Sequence, residues 1–150
     1  MNLRHSLELA LPGVLIGAVA GAIAGGLTLL VGQPSGLVLA VPLAIFGGLY
    51  GTLLGKGFFR PGAFGPAGLY WMLAFPVARL IQESLTGLGM RDGVLLFLAY
   101  QALVSVGFAI GFIWMHERIM PHWLLRRAGD NPRAAALLDS YVQQARRISR

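Results

Sequence analysis

The sequence predicts an all-α integral membrane protein: a four-transmembrane-helix bundle with glycine-zipper packing and a C-terminal basic amphipathic interfacial helix. Three observations carry that prediction. The chain holds four apolar runs of membrane-spanning length, glycines recur at every fourth residue within them, and nearly all basic residues lie outside them. Hydrophobic residues make up 56% of the 150 positions and charged residues only 12%, where an ordinary soluble domain carries roughly a quarter charged. Mean hydropathy is +0.68. The length suits one domain, read as a transmembrane part over residues 1–127 and a tail over residues 128–150.

Residues 1–9, MNLRHSLEL, form a short polar lead. The first span covers residues 10–31, with Pro12 suited to its first turn, and is long enough to cross a hydrocarbon core of about 30 Å. Gly13, Gly17, Gly21 and Gly25 align into one groove on a helix of 3.6 residues per turn. In water each interior glycine would cost about 1 kcal/mol relative to alanine. In a membrane the backbone must satisfy its own hydrogen bonds, so the helix forms regardless and the groove admits a second backbone. The run extends to Val31, longer than the apolar core of a usual signal peptide.

Residues 32–36, GQPSG, read as a tight turn. The second span, residues 37–54, carries Gly47, Gly51 and Gly55 at the same spacing. It should pack on the first as an antiparallel hairpin, with a kink at Pro42. A loop rich in glycine and aromatics follows, carrying Lys56 and Arg60. The third span, residues 66–85, has a kink expected at Pro76 and an arginine, Arg79, unusually deep within it. Residues 87–93 make the next turn. The fourth span, residues 94–115, holds the small pair Gly107 and Gly111 and continues through His116 and Arg118 to a kink or end at Pro121.

In the tail, residues 128–132 read as a helix stop and a new start, with Asn131 or Asp130 as cap and Pro132 in the first turn. Leu137, Leu138, Tyr141, Val142, Ala145 and Ile148 then fall at helical spacing. Arg133, Asp139, Gln143, Gln144, Arg146 and Arg147 take the other faces. Such a helix suits a membrane surface or a partner.

Orientation follows from charge. With both termini cytoplasmic, the inner side carries Arg4, Lys56, Arg60, Arg118, Arg126, Arg127, Arg133, Arg146, Arg147 and Arg150, and only Arg79 and Arg91 fall towards the outside. Tyr50, Phe58, Phe59, Tyr70, Trp71, Trp114 and Trp123 gather near that inner interface. The bias to arginine, alanine, glycine and leucine fits a GC-rich genome, hence a bacterial plasma (inner) membrane. The net charge of +6 belongs with membrane orientation and anionic headgroups rather than nucleic acid. The absence of cysteine removes disulfides and thiolate metal sites.

Chemistry finds little support in the sequence. Gly55-Lys56-Gly57 lacks the first glycine and the Ser or Thr of a phosphate loop, and His116-Glu117 has Met120 where a zinc-protease motif needs its second histidine. No serine sits in a nucleophile motif. No enzymatic activity, cofactor or metal is expected.

The candidate ligand or partner site is Arg79 with Glu83 one turn on, joined by Gln101 and Ser105 in the fourth span. An arginine at mid-span costs roughly 2.5 kcal/mol or more, unless it snorkels to the interface beside Glu83. Arg126, Arg127, Arg133, Arg146 and Arg147 are candidates for lipid or partner contact. The expected function is a non-enzymatic membrane subunit or accessory protein of a larger complex. The alternatives are a small homo-oligomeric channel or transporter for an anion, in which the Gly13–Gly25 groove forms the subunit contact, and a haem- or quinone-associated anchor resting on His5, His116, His122 and Arg79.

Overall fold

The computed structural model describes residues 3–30, 34–86 and 93–149. Among them are helices α1 (Leu3–Leu30), α2 (Ala40–Gly55), α3 (Phe64–Thr86), α4 (Val94–Arg127) and α5 (Pro132–Ile148), a 3-10 segment over Pro34–Leu39 before α2, and no strand. The first four are long and apolar enough to cross a membrane, α2 with the end of the 3-10 segment counted in. Parts of the two expected turns, residues 31–33 and 87–92 with Arg91, lie outside the described residues.

The helices are longer than the apolar runs. α1 begins at Leu3, so the polar lead is helical and Pro12 sits inside the helix, fully buried, rather than in its first turn. Proline has no N–H to donate to the carbonyl four residues back. That carbonyl belongs to Glu8, and the indole N–H of Trp123 takes it at 2.8 Å. The proline defect in α1 thus becomes a tie to α4. Pro42 falls in the first turn of α2, where an N–H has no helical partner, so it starts that helix instead of kinking it. α4 runs through Pro121 to Arg127 without a break. At 1.5 Å per residue it is about 50 Å long, and its last turns project beyond a hydrocarbon core.

Each spanning helix packs beside two others in the order α1, α2, α3, α4 and back to α1, with α1–α2 and α3–α4 the most extensive pairs. The α1–α2 seam is backbone on backbone. A Cβ at Gly13 would overlap the carbonyl of Gly47, one at Gly17 the carbonyl of Leu43, and one at Gly21 the Cα of Ala40. From the other side, Gly47 would strike Gly13, and a Cβ at Gly51 would lie 2.5 Å from the carbonyl oxygen of Leu9. Rising numbers in α1 meet falling numbers in α2, which is the antiparallel hairpin. Gly55 faces the Leu9 side chain, and Gly25, one turn beyond Gly21, is buried.

Gly107 and Gly111 behave differently. They carry the same spacing but lie on the exposed face of α4, and an added Cβ would meet nothing within 4 Å. The buried face of α4 is instead Gln101, Ser105, Ala109, Phe112, His116, Met120 and Leu124, repeating every three or four residues. Among the described residues, the two α4 glycines therefore make no close approach to another helix.

The core is aromatic at one end. Tyr50 meets Phe59 in a stack at 5.2 Å, Phe112 edge-on at 5.5 Å and His116 edge-on at 5.0 Å. Trp71 lies tilted against Phe112 at 4.4 Å. The Tyr70 hydroxyl donates to the Phe46 carbonyl at 2.6 Å, tying α3 to α2.

α5 is folded onto this same end of the bundle. Ala134 and Leu137 are buried, and Leu138 and Tyr141 pack against the core, while Val142 and Ala145 of the expected apolar stripe face outward. Asn131 is the cap. Its side-chain oxygen accepts from the backbone N–H groups of Arg133 (3.1 Å) and Ala134 (3.3 Å), a geometry that satisfies two otherwise unpaired donors. Its amide nitrogen donates to the His5 carbonyl at 3.1 Å and the Glu8 carboxylate at 3.0 Å, so the cap of α5 is also a latch on α1.

Candidate functional site

The far end of the bundle, away from α5, holds a cavity of about 220 Å³ between α1, α3 and α4. Arg79, Gln82, Gln101 and Tyr100 supply its polar wall, and Gly25, Leu39 and Phe75 contribute to the rest. Gln82 and Gln101 are buried because each lies on the inward stripe of its helix. The Arg79 guanidinium donates to the Gln82 side-chain oxygen and pairs with Glu83 at 2.9 Å. The structure thus brings Arg79 and Gln101 to one cavity. Ser105 is buried, one turn from Gln101, and its hydroxyl donates to the Ala102 carbonyl at 2.6 Å within its own helix.

The local partners decide what this cavity can do. An arginine neutralised by a carboxylate on the next turn offers hydrogen-bond donors without a net positive charge. The pair makes a testable statement. Glu83→Gln strands a cation inside the span, so it destabilises the folded chain by about 1–3 kcal/mol. The double replacement Arg79→Met with Glu83→Gln recovers part of that loss. Thermal unfolding of the three proteins in detergent checks it: equal melting temperatures for Glu83→Gln and wild type would show that the pair contributes nothing.

The basic candidates are dispersed over the opposite end. Arg127 lies over the Trp123 ring at 5.0 Å, and Arg118 over Trp114 at 4.3 Å. Arg126 lines a shallow surface pocket with Arg118, His122 and Trp123. Arg133 donates to the Ser6 hydroxyl at 3.1 Å, Arg146 is exposed, and Arg147 lines a cleft with Arg60.

The histidines do not converge. The His5 carbonyl serves Asn131, the His122 ring nitrogen Nδ1 lies 2.9 Å from the Arg118 carbonyl, and His116 is fully buried under Tyr50 with neither ring nitrogen hydrogen-bonded among the described residues. Among those residues there is no group of three His, Asp or Glu side chains placed to hold a metal.

No protein-family model, curated protein or solved structure matches this chain.

Sequence reasoning overlooked a second polar centre, at Glu117. Its carboxylate accepts the Tyr141 hydroxyl at 3.3 Å and lies close enough to the Gly62 backbone to feel its N–H dipole, so one side chain sits where α4, α5 and the loop between α2 and α3 meet. Burial first, and then the Glu117 charge, hold the Tyr141 phenol above its ordinary pKa, which keeps it a donor throughout the physiological range. The available signal was Tyr141 itself, a hydroxyl on the apolar stripe of α5 that needs a partner once buried.

Proposed function

We propose that the chain is a non-enzymatic membrane subunit that docks on a transmembrane helix of a larger membrane complex through the open glycine face of α4. The contrast among the glycines supports this. Gly13, Gly17, Gly21, Gly47 and Gly51 are each in contact with backbone of the same chain, whereas Gly107 and Gly111 face open space between exposed Leu103, Ile110 and Trp114. In a bilayer, helices associate through close backbone approach rather than through the hydrophobic effect, so a notched and unfilled face is where a further helix gains most. The α1–α2 seam serves in this reading as an internal glycine zipper that makes the subunit rigid.

The end bearing Arg4, Lys56, Arg60, Arg118 and α5 faces the cytoplasm of a bacterial plasma membrane, following the excess of positive charge there. Arg126 and Arg146, on the exposed surface of that end, meet anionic headgroups. The anion-channel alternative has weaker support: its subunit contact, the α1 groove, is occupied by α2, and its selectivity residue Arg79 already holds Glu83.

The experiment is purification of tagged wild type and the double variant Gly107→Leu, Gly111→Leu from the native host in mild detergent, followed by native mass spectrometry. Wild type should carry a different membrane protein in fixed ratio. The variant should lose it while unfolding at the same temperature, because the new side chains enter open space. A wild type found only as an oligomer of itself, or a partner equally retained by the variant, would overturn the proposal.

A further inference from the structure

The loop between α2 and α3 and the outer side of α5 face each other across an open cleft of about 450 Å³. Both walls are held in place. On the loop, Phe59 is stacked on Tyr50, and Gly62 adopts φ 69°, a conformation L side chains rarely take. The Gln144 amide fills the space where a Cβ of Gly62 would stand. Glu117 holds the α5 wall from beneath through Tyr141 and lies beside the Gly62 backbone of the loop wall, and Asn131 fixes the start of α5. The cleft is therefore a product of anchored elements.

Its chemistry is one-sided. Leu54, Phe59 and Leu137 give it an apolar floor, and Ser140, Gln143, Gln144, Arg60 and Arg147 its polar walls. A second hollow of about 360 Å³ shares Leu54, Gly57, Leu137 and Ser140 with the first and adds Lys56 and Arg133. Four cations thus border one continuous groove, and among the described residues no carboxylate side chain lines either part. Among the described residues none of the four forms an ion pair; the pairs there are Arg4–Glu8 and Arg79–Glu83. Arg60 and Arg147 border the first hollow, and Lys56 and Arg133 border the second; like charges along one groove repel one another, and a multivalent anion would relieve that repulsion.

We infer that this cleft binds a phosphate group, with Arg60 and Arg147 as its principal ligands. Guanidinium groups match phosphate oxygens bidentately. The Gln143 and Gln144 amides and the Ser140 hydroxyl are further donors for the remaining oxygens. The groove lies beside Gly55, where the second span ends, and its floor is apolar, so the phosphate suits the headgroup of an anionic lipid whose glycerol lies on Leu54 and Leu137. A small soluble phosphate offers the same oxygens without that apolar part. The inference is independent of the docking proposed for α4, since it uses neither that face nor a protein partner.

The test uses the full chain purified in a neutral detergent, as wild type and as the double variant Arg60→Gln, Arg147→Gln. Both arginines are exposed, so the variant keeps the fold. Binding is measured to nanodiscs of phosphatidylcholine with and without phosphatidylglycerol, and separately to inorganic phosphate by thermal shift. The charge-matched control Arg4→Gln, Arg118→Gln removes two cations from the same end but outside the groove.

Loss of two charge-assisted contacts should weaken binding at least about tenfold in the cleft variant, with the control close to wild type. Selective binding of phosphatidylglycerol, with no response to inorganic phosphate, assigns the site to a lipid headgroup; an equal response to inorganic phosphate assigns it to a soluble phosphate. Equal binding by cleft variant and wild type, an equal loss in the control, or no phosphate-dependent binding by wild type would each overturn the inference.

Discussion

Gly47→Leu is expected to leave almost no folded protein, and Gly47→Ala or Gly13→Ala to lower the melting temperature clearly. The two glycines face each other across the α1–α2 seam, and a Cβ on either would overlap the carbonyl of the other. A flexible side chain could move aside, but here the obstacle is backbone on both helices. The hairpin must open along its length, and dispersion contacts fall steeply with a gap of even 0.5–1 Å. Overpacking by one methyl costs about 1–3 kcal/mol, and a leucine at this place exceeds the roughly 4–5 kcal/mol that marks the extreme of single replacements. Gly26→Leu is the control, since a Cβ at Gly26 meets nothing within 4 Å. Circular dichroism melts and the monodisperse fraction in detergent measure the difference. A Gly47→Ala protein as stable as wild type would show that the seam is looser than described.

Asn131→Ala should release α5 from the bundle without unfolding the spans. Asn131 is fully buried and uses both ends of its amide, the oxygen on Arg133 and Ala134 and the nitrogen on His5 and Glu8. Losing an N-cap costs about 0.5–2 kcal/mol, and stranding the buried groups it served adds about 1–3 kcal/mol. Trypsin should then cut quickly at Arg133, Arg146 and Arg147 while the α1–α4 part resists. Asn131→Asp separates the two roles. It keeps a cap oxygen but sets a second carboxylate against Glu8, so α5 should stay helical and still come away. Unchanged cleavage kinetics in both variants would mean that α5 is held by its apolar face alone.

Much of this architecture was legible because its signals are local. Length and hydropathy mark the four spans, since a hydrocarbon core fixes how many apolar residues a helix needs. Asn131 followed by Pro132 marks the start of α5, because a cap and a first-turn proline act within a few residues. The inward stripe of α4, from Gln101 through His116 to Leu124, is also written in the spacing, although a histidine near the end of an apolar run is easily taken for an interfacial one. The lengths of α1 and α4 were harder to see. Proline usually ends or kinks a helix, and nothing near Pro12 reveals that Trp123, 111 positions away in the chain, accommodates the carbonyl it frees.

The sequence by itself determined that this chain is helical, where its four apolar helices run, and which faces carry small residues. These are properties of a single helix, set by composition and by a period of 3.6. The tertiary structure decided how those faces are used. Gly13 and Gly107 belong to the same four-residue pattern, yet one is filled by the backbone of α2 and the other is open. Spacing specifies a groove, but only the pairing of two helices specifies what lies in it. The same holds for charge: Arg79 is paired within a turn of its own helix, whereas Arg60 and Arg147, 87 residues apart, share a cleft because Glu117 draws their loop and helix to one point.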